Sequence, residues 1–115
     1  MPTLTHELRT VEQAHDLLGL TYAEVARAIK ADESTVHRWR AGDSEPSPIF
    51  LDRLDALGEF LGELRRTVKD QAAARYWLDR AVPALGGRTP RDILLAGRLE
   101  RLTGLLVGFN AGNAL

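Results

Sequence analysis

Apolar residues recur at helical intervals along most of this chain. Leu4, Leu8, Val11, Ala14, Leu17 and Leu18 predict an opening helix over about Glu7 to Leu18, stopped by Gly19, with His15 on its polar, solvated side. Ala23, Val25, Ala26 and Ile29 predict a second, shorter helix, and Thr21 with Glu24 three residues on forms a capping box at its start. The pattern stops at Lys30-Ala31-Asp32. Asp32 is an N-cap for a third helix, Glu33 to Arg40, and Gly42 suits the left-handed stop after it. Val36 and Trp39 are three apart and share one buried face, which leaves Ser34, Thr35, His37, Arg38 and Arg40 on the others. Two short helices across a tight turn, the second polar and basic outside, read as a helix-turn-helix. Those five polar residues are its candidates for contact with operator DNA.

The loop Ala41 to Ser47 carries Gly42 and Pro46, and Ser47 caps a helix that starts with Pro48 in its first position. A long helix then runs from Ile49 to about Lys69, roughly 30 Å at 1.5 Å per residue. Phe50, Leu54, Leu57, Leu61, Leu64 and Val68 are spaced 4, 3, 4, 3 and 4, which is a heptad seam. Such a seam packs either on its own chain or on a second copy. Helix-turn-helix proteins read half-sites as dimers, so a homodimer joined through this seam is expected. Gly58 and Gly62 weaken the helix and permit close approach by a neighbour.

Beyond Lys69-Asp70, Ala72 to Arg80 reads as a helix carrying Tyr76 and Trp77, and Pro83 prevents it from continuing far. Gly86-Gly87 gives a turn, Thr89 caps, Pro90 takes the first helical position and Asp92 suits the first turn. A short helix, Pro90 to Leu95, buries Ile93 and Leu94. Gly97 breaks it, and a last helix runs from about Arg98 to Val107 with Leu99, Leu102, Leu105 and Leu106 as its stripe. Residues 108–115 are rich in Gly and Asn and are expected to be loose until bound. Period-two segments rich in β-branched residues are absent. The fold class is therefore all-α: a helix-turn-helix region over residues 1–68 whose long helix leads into a small helical module over residues 69–115.

Charge divides the chain at the same place. Residues 1–62 hold 6 basic and 11 acidic side chains, whereas residues 63–115 hold 9 and 5. The basic groups of the helix-turn-helix thus stand on an acidic background, the reverse of most DNA-binding domains. There is no cysteine among the 115 residues, hence no disulfide framework and no thiolate metal site. No apolar run approaches the roughly 20 residues that span a bilayer, and residues 1–10 lack the basic start and apolar run of a secretion signal, so a cytoplasmic location is expected. No HExxH, no phosphate loop and no nucleophile with a base is present, and His6, His15 and His37 stand isolated. No enzyme, metal, cofactor or small-molecule substrate is expected. Gly86-Gly87-Arg88 either cradles a phosphate through its N–H groups or simply makes a tight turn before a capped helix. Trp39 and Trp77 are either core or stacking residues. Arg75, Arg80, Arg88, Arg91, Arg98 and Arg101 are either a solvated face or a polar protein interface.

A helix-turn-helix, a long helix and then a module with Trp77-Leu78, Pro83-Ala84-Leu85-Gly86-Gly87-Arg88-Thr89-Pro90 and Asp92-Ile93-Leu94 resembles the MbcA/ParS/Xre antitoxin family over about residues 15–115. The resemblance implies a protein that neutralises a RES-domain toxin acting on NAD, and that represses its own operon through the helix-turn-helix. It implies that the last helix and tail occlude the toxin's NAD pocket. Carried onto this sequence, the toxin-facing residues are Trp77, Arg88, Pro90, Arg98, Arg101, Phe109, Asn110, Asn113 and Leu115. The reading that competes with it is a stand-alone helix-turn-helix transcription regulator without a toxin partner.

Overall fold

The computed structural model describes residues 5–112. Within them the chain forms seven α-helices and no strand: α1 (His6–Leu18), α2 (Tyr22–Ala28), α3 (Glu33–Ala41), α4 (Pro48–Thr67), α5 (Gln71–Leu78), α6 (Pro90–Leu95) and α7 (Leu99–Asn110). A 3-10 turn, Pro83–Leu85, sits in what the sequence reads as loop.

Short side chains set most of the boundaries. Thr5 accepts the Leu8 N–H ahead of α1. Thr21 and Glu24 exchange both bonds of a capping box at 3.1 and 3.0 Å, and Thr89 with Asp92 does the same ahead of α6. Gly19 and Gly42 take the left-handed stops after α1 and α3. Asp32 and Ser47 occupy N-cap positions, but their side chains make no capping bond. The exit from α2 is unusual. Ala31 N–H reaches back to the Ala26 carbonyl at 2.9 Å and Lys30 N–H to that of Arg27 at 3.1 Å, the paired bonds of a Schellman motif. The left-handed residue of that motif is Lys30, with φ of 60°, the one non-glycine residue with positive φ among those described. A side chain there costs about 1–3 kcal/mol, so glycine is its usual occupant.

The α4 helix is the spine. α1 packs on it, and α7 lies along it in the most extensive helix–helix contact of the fold. Leu54, Leu57, Leu61 and Leu64 are each at most 2% exposed. The four central leucines of the heptad seam are therefore consumed by α1 and α7 of the same chain, while Phe50 and Val68 at its ends are half-buried. A homodimer joined through those leucines has no surface there. One contiguous core takes in Val11 and Leu18 of α1, Phe60 of α4, Trp77 and Leu78 of α5, Ile93 and Leu94 of α6 and Leu102 of α7. The change of charge near residue 69 therefore marks no break in packing.

The α7 helix also runs three residues beyond the expected Val107. Gly104 and Gly108 each weaken it by about 1 kcal/mol relative to Ala. Leu99, Leu102 and Leu106 are fully buried, and each such leucine contributes about 1.5–3 kcal/mol, so packing outweighs the glycines. Asn110 secures the far end: its amide donates to Thr67 Oγ1 at 3.0 Å and Glu63 Oε2 at 3.1 Å, at the end of α4. Gly108, Phe109 and Asn110 are thus helical and docked, not part of a loose tail. Asn113 and Leu115 lie outside the described residues.

Candidate functional site

The outer side of α3 presents the residues singled out for DNA unequally. Ser34, His37 and Arg38 are exposed and Thr35 is half-buried. Arg38 donates to Thr35 Oγ1 at 3.1 Å, and His37 meets Glu33 one turn earlier at 3.2 Å. Arg40 is committed within the chain. Its Nε donates to Glu12 Oε1 at 2.8 Å, and its guanidinium lies 3.8 Å from the centroid of the Tyr22 ring. The Tyr22 hydroxyl donates to the same Glu12 at 2.7 Å. Burial pushes the Glu12 carboxyl up, but the Tyr22 and Arg40 bonds outweigh it and hold the group below its ordinary value. His15 is not solvated, as its place in the pattern suggested. It stacks on Tyr22 at 4.2 Å and donates from Nδ1 to the Leu20 carbonyl at 2.6 Å. Glu12, Tyr22 and Arg40 therefore fix α3 against α1 and α2, and Ser34, Thr35, His37 and Arg38 are left for outward contact.

The C-terminal helices sort the other candidates. Trp77 is a core residue, 7% exposed, with its ring 6.2 Å from Phe60. Pro90 is buried at the start of α6. Neither belongs to an exposed surface. Arg88, Arg98, Arg101 and Phe109 are exposed as expected, and the three arginines make no ion pair among the described residues. Tyr76, next to Trp77, was missed: it is 70% exposed. Successive residues on a helix point about 100° apart, so one of two adjacent aromatics must face out. Only the position of Phe60 decides which. Val107 of α7, at 48%, and Ile49 of α4, at 69%, are further exposed apolar residues. The Gly86-Gly87-Arg88 segment is a turn and not a phosphate cradle. Its three N–H groups are spent on the Pro83, Val82 and Leu85 carbonyls.

Three other arginines tie the two halves together. Arg91 of α6 forks between Glu24 Oε2 on α2, at 2.6 Å, and Asp79 Oδ1, at 2.7 Å. Arg53 of α4 donates to Glu100 Oε1 at 3.0 Å and to the Gly97 carbonyl. Arg75 of α5 donates to the Asp16 and Leu17 carbonyls at the end of α1. The hydrogen bonds from Arg91 hold the Asp79 carboxyl below its ordinary value. At Glu24 burial acts upward, but the Thr21 backbone and Arg91 bonds outweigh it and the group ends below its ordinary value. Among the described residues no group of His, Asp and Glu is arranged to hold a metal ion, and no helix is long and apolar enough to cross a membrane.

Comparison with known proteins places these helices in a family. Residues 63–106 match the family described as the antitoxin Xre/MbcA/ParS C-terminal toxin-binding domain. The mycobacterial cidal antitoxin MbcA of Mycobacterium tuberculosis is 31% identical over 97 residues, which are 84% of this chain and 85% of that protein. The same protein of Mycobacterium bovis matches equally. The crystal structure of the M. tuberculosis MbcT–MbcA toxin–antitoxin complex contains a chain that superimposes with a TM-score of 0.70 at 28% identity, over 97% of this chain and all of that one. An all-helical fold, a sequence relation that runs across both halves and a matched C-terminal region together place the chain in the Xre/MbcA/ParS family of antitoxins.

Proposed function

We propose that the chain neutralises a RES-domain toxin that consumes NAD, by covering the toxin's active site with its C-terminal helices, and that α2 and α3 bind its operator as a helix-turn-helix. The observation that carries the first part is the surface of the matched region. Tyr76, Arg80, Arg88 and Arg101 are exposed there, and no carboxylate of the described chain pairs with the arginines. Tyrosine and arginine are the residue types that dominate protein interfaces, because they bury large areas while losing few rotamers. Immediately beyond the matched region, Val107 and Phe109 project from α7. They give the end of that helix an apolar tip, which Asn110 holds fixed on α4. Occlusion by this tip works by occupancy and needs no catalysis by the chain. A docked tip gives up little conformational freedom on binding, in contrast to a loose tail.

The test is co-expression with a RES-domain toxin, with growth and cellular NAD as readouts. The full chain preserves both. Paired Val107→Ala and Phe109→Ala changes keep the fold and the complex but lower protection. Full protection by that variant refutes occlusion by the tip and leaves coverage by residues 70–106. No protection by the full chain favours a stand-alone regulator.

A further inference from the structure

The acidic background of the α2–α3 region leaves its phosphate contacts unexplained. We infer that Lys30 and Arg98 together contact the phosphate backbone of duplex DNA, so that the C-terminal half supplies part of the nucleic-acid surface. This rests on the DNA-binding reading of α2 and α3. Three observations lead to it. First, Lys30 occupies the left-handed position of a Schellman motif, where glycine is the usual residue. The backbone gains nothing from lysine there, so the reason for it lies in the side chain. Second, the Lys30 stem lies across Gly97. A Cβ on Gly97 would stand 2.7 Å from Lys30 Cε and 2.9 Å from Cγ. The lysine stem is thereby laid against the corner between α6 and α7, whose next residue is Arg98. Third, neither cation has a carboxylate partner among the described residues. Glu24 is taken by Arg91, Glu33 by His37 and Glu100 by Arg53. Asp32 is exposed and makes no side-chain bond.

The placement suits a duplex. In a helix-turn-helix the first helix crosses the DNA backbone while the N-terminal residues of the second read base edges. Arg91 meets Glu24 near the start of α2, and Gly97 meets Lys30 just past its end. α6 therefore runs beside α2 in the same direction, and it delivers Arg98 to the end where α3 begins with Ser34 and Thr35. Two unpaired cations at that edge fit phosphates, which are contacted without regard to sequence.

The experiment measures binding of the full-length chain to a duplex of its own promoter and to a random-sequence duplex, over a range of salt. The variants are Lys30→Gly, which gives the backbone its preferred residue, Arg98→Ala, and the two combined. Each lost phosphate contact lowers the slope of log affinity against log salt by about 0.9, so the double variant loses about 1.8 on both duplexes. Between about 50 and 200 mM salt its affinity then falls about 12-fold less than that of the parent. Lys30→Gly is expected to melt no lower than the parent. A parental slope in the double variant overturns the inference. So does an Arg98→Ala chain that keeps its DNA slope and loses toxin capture, which places the arginine on the toxin surface. If Arg38→Ala abolishes promoter preference while the double variant keeps its slope, this inference falls alone and the DNA reading stands. If the full chain binds neither duplex at any salt, both fall.

Discussion

Replacing Arg91 by alanine removes the fork that joins α6 to the first turn of α2. Its loss strands Glu24, whose side chain is only 24% exposed, and frees Asp79, which is 59% exposed. A hydrogen bond to a charged group at a half-buried site is worth about 1.5–3 kcal/mol. The exposed Asp79 arm adds well under about 1 kcal/mol. The expected loss is therefore about 2–3 kcal/mol, or about 8–12 °C in Tm at roughly 4 °C per kcal/mol for a chain of this size. Thermal and urea melts of Arg91→Ala, Glu24→Gln and the double variant provide the measurement. The cycle is expected to return a coupling of about 1.5 kcal/mol or more, since the two groups touch. Both carboxylates are held below their ordinary values of 4.5 and 3.8, so the folded chain binds fewer protons than the unfolded one there. The stabilisation is complete above those values and is lost as pH falls through the lower folded-state ones. From about pH 6 to pH 3 the parent is expected to lose more stability than Arg91→Ala, and the two curves converge in acid. Strict additivity in the cycle, or pH curves that stay parallel, would refute the assignment of Arg91 as the clamp.

Adjacent aromatics give opposite results: Trp77→Ala costs about 3–5 kcal/mol by opening the core, whereas Tyr76→Ala stays within about 0.5 kcal/mol in urea and lowers toxin capture at least 10-fold in a pull-down titration. Gly97→Ala places a methyl group on the Lys30 stem at a φ of 75°, and is expected to cost about 2–3 kcal/mol by thermal melt. Arg38→Ala costs about 1–3 kcal/mol of promoter affinity with Tm unchanged. Arg40→Ala does the reverse, losing about 1–2 kcal/mol of stability with its Glu12 bond and Tyr22 stacking while promoter preference persists.

The sequence carries the helix boundaries because most of them are set locally. Thr21 with Glu24, Thr89 with Asp92, and Gly42 act within one turn of the ends that they define. What it does not carry depends on contacts distant along the chain. The leucine seam of α4 has the same spacing whether a second copy or α7 covers it, and only the fold shows that α7 does. The last turn of α7 is hidden by Gly108, which reads as a stop until the Asn110 bonds to α4 are known. The same holds for the surfaces. Arg88 and Arg101 were legible as exposed cations, but Arg91, with the same local appearance, is bound to Glu24, 67 residues earlier. The bond of Arg40 to Glu12 is equally hidden, because Glu12 lies 28 residues away on a different helix.

The single core that runs through both halves has a consequence for how long the protein lasts in a cell. Cutting the chain near residue 69 would uncover the part of the leucine row Leu54, Leu57, Leu61 and Leu64 that α7 covers, with only α1 left packed on α4. Losing several such leucines' burial, each worth about 1.5–3 kcal/mol, exceeds the margin on which a domain of this size survives. A protease that clips the C-terminal helices therefore cannot leave a working N-terminal half behind. Whatever the two faces of the molecule bind, they share one half-life, and a cell that degrades the chain gives up both together.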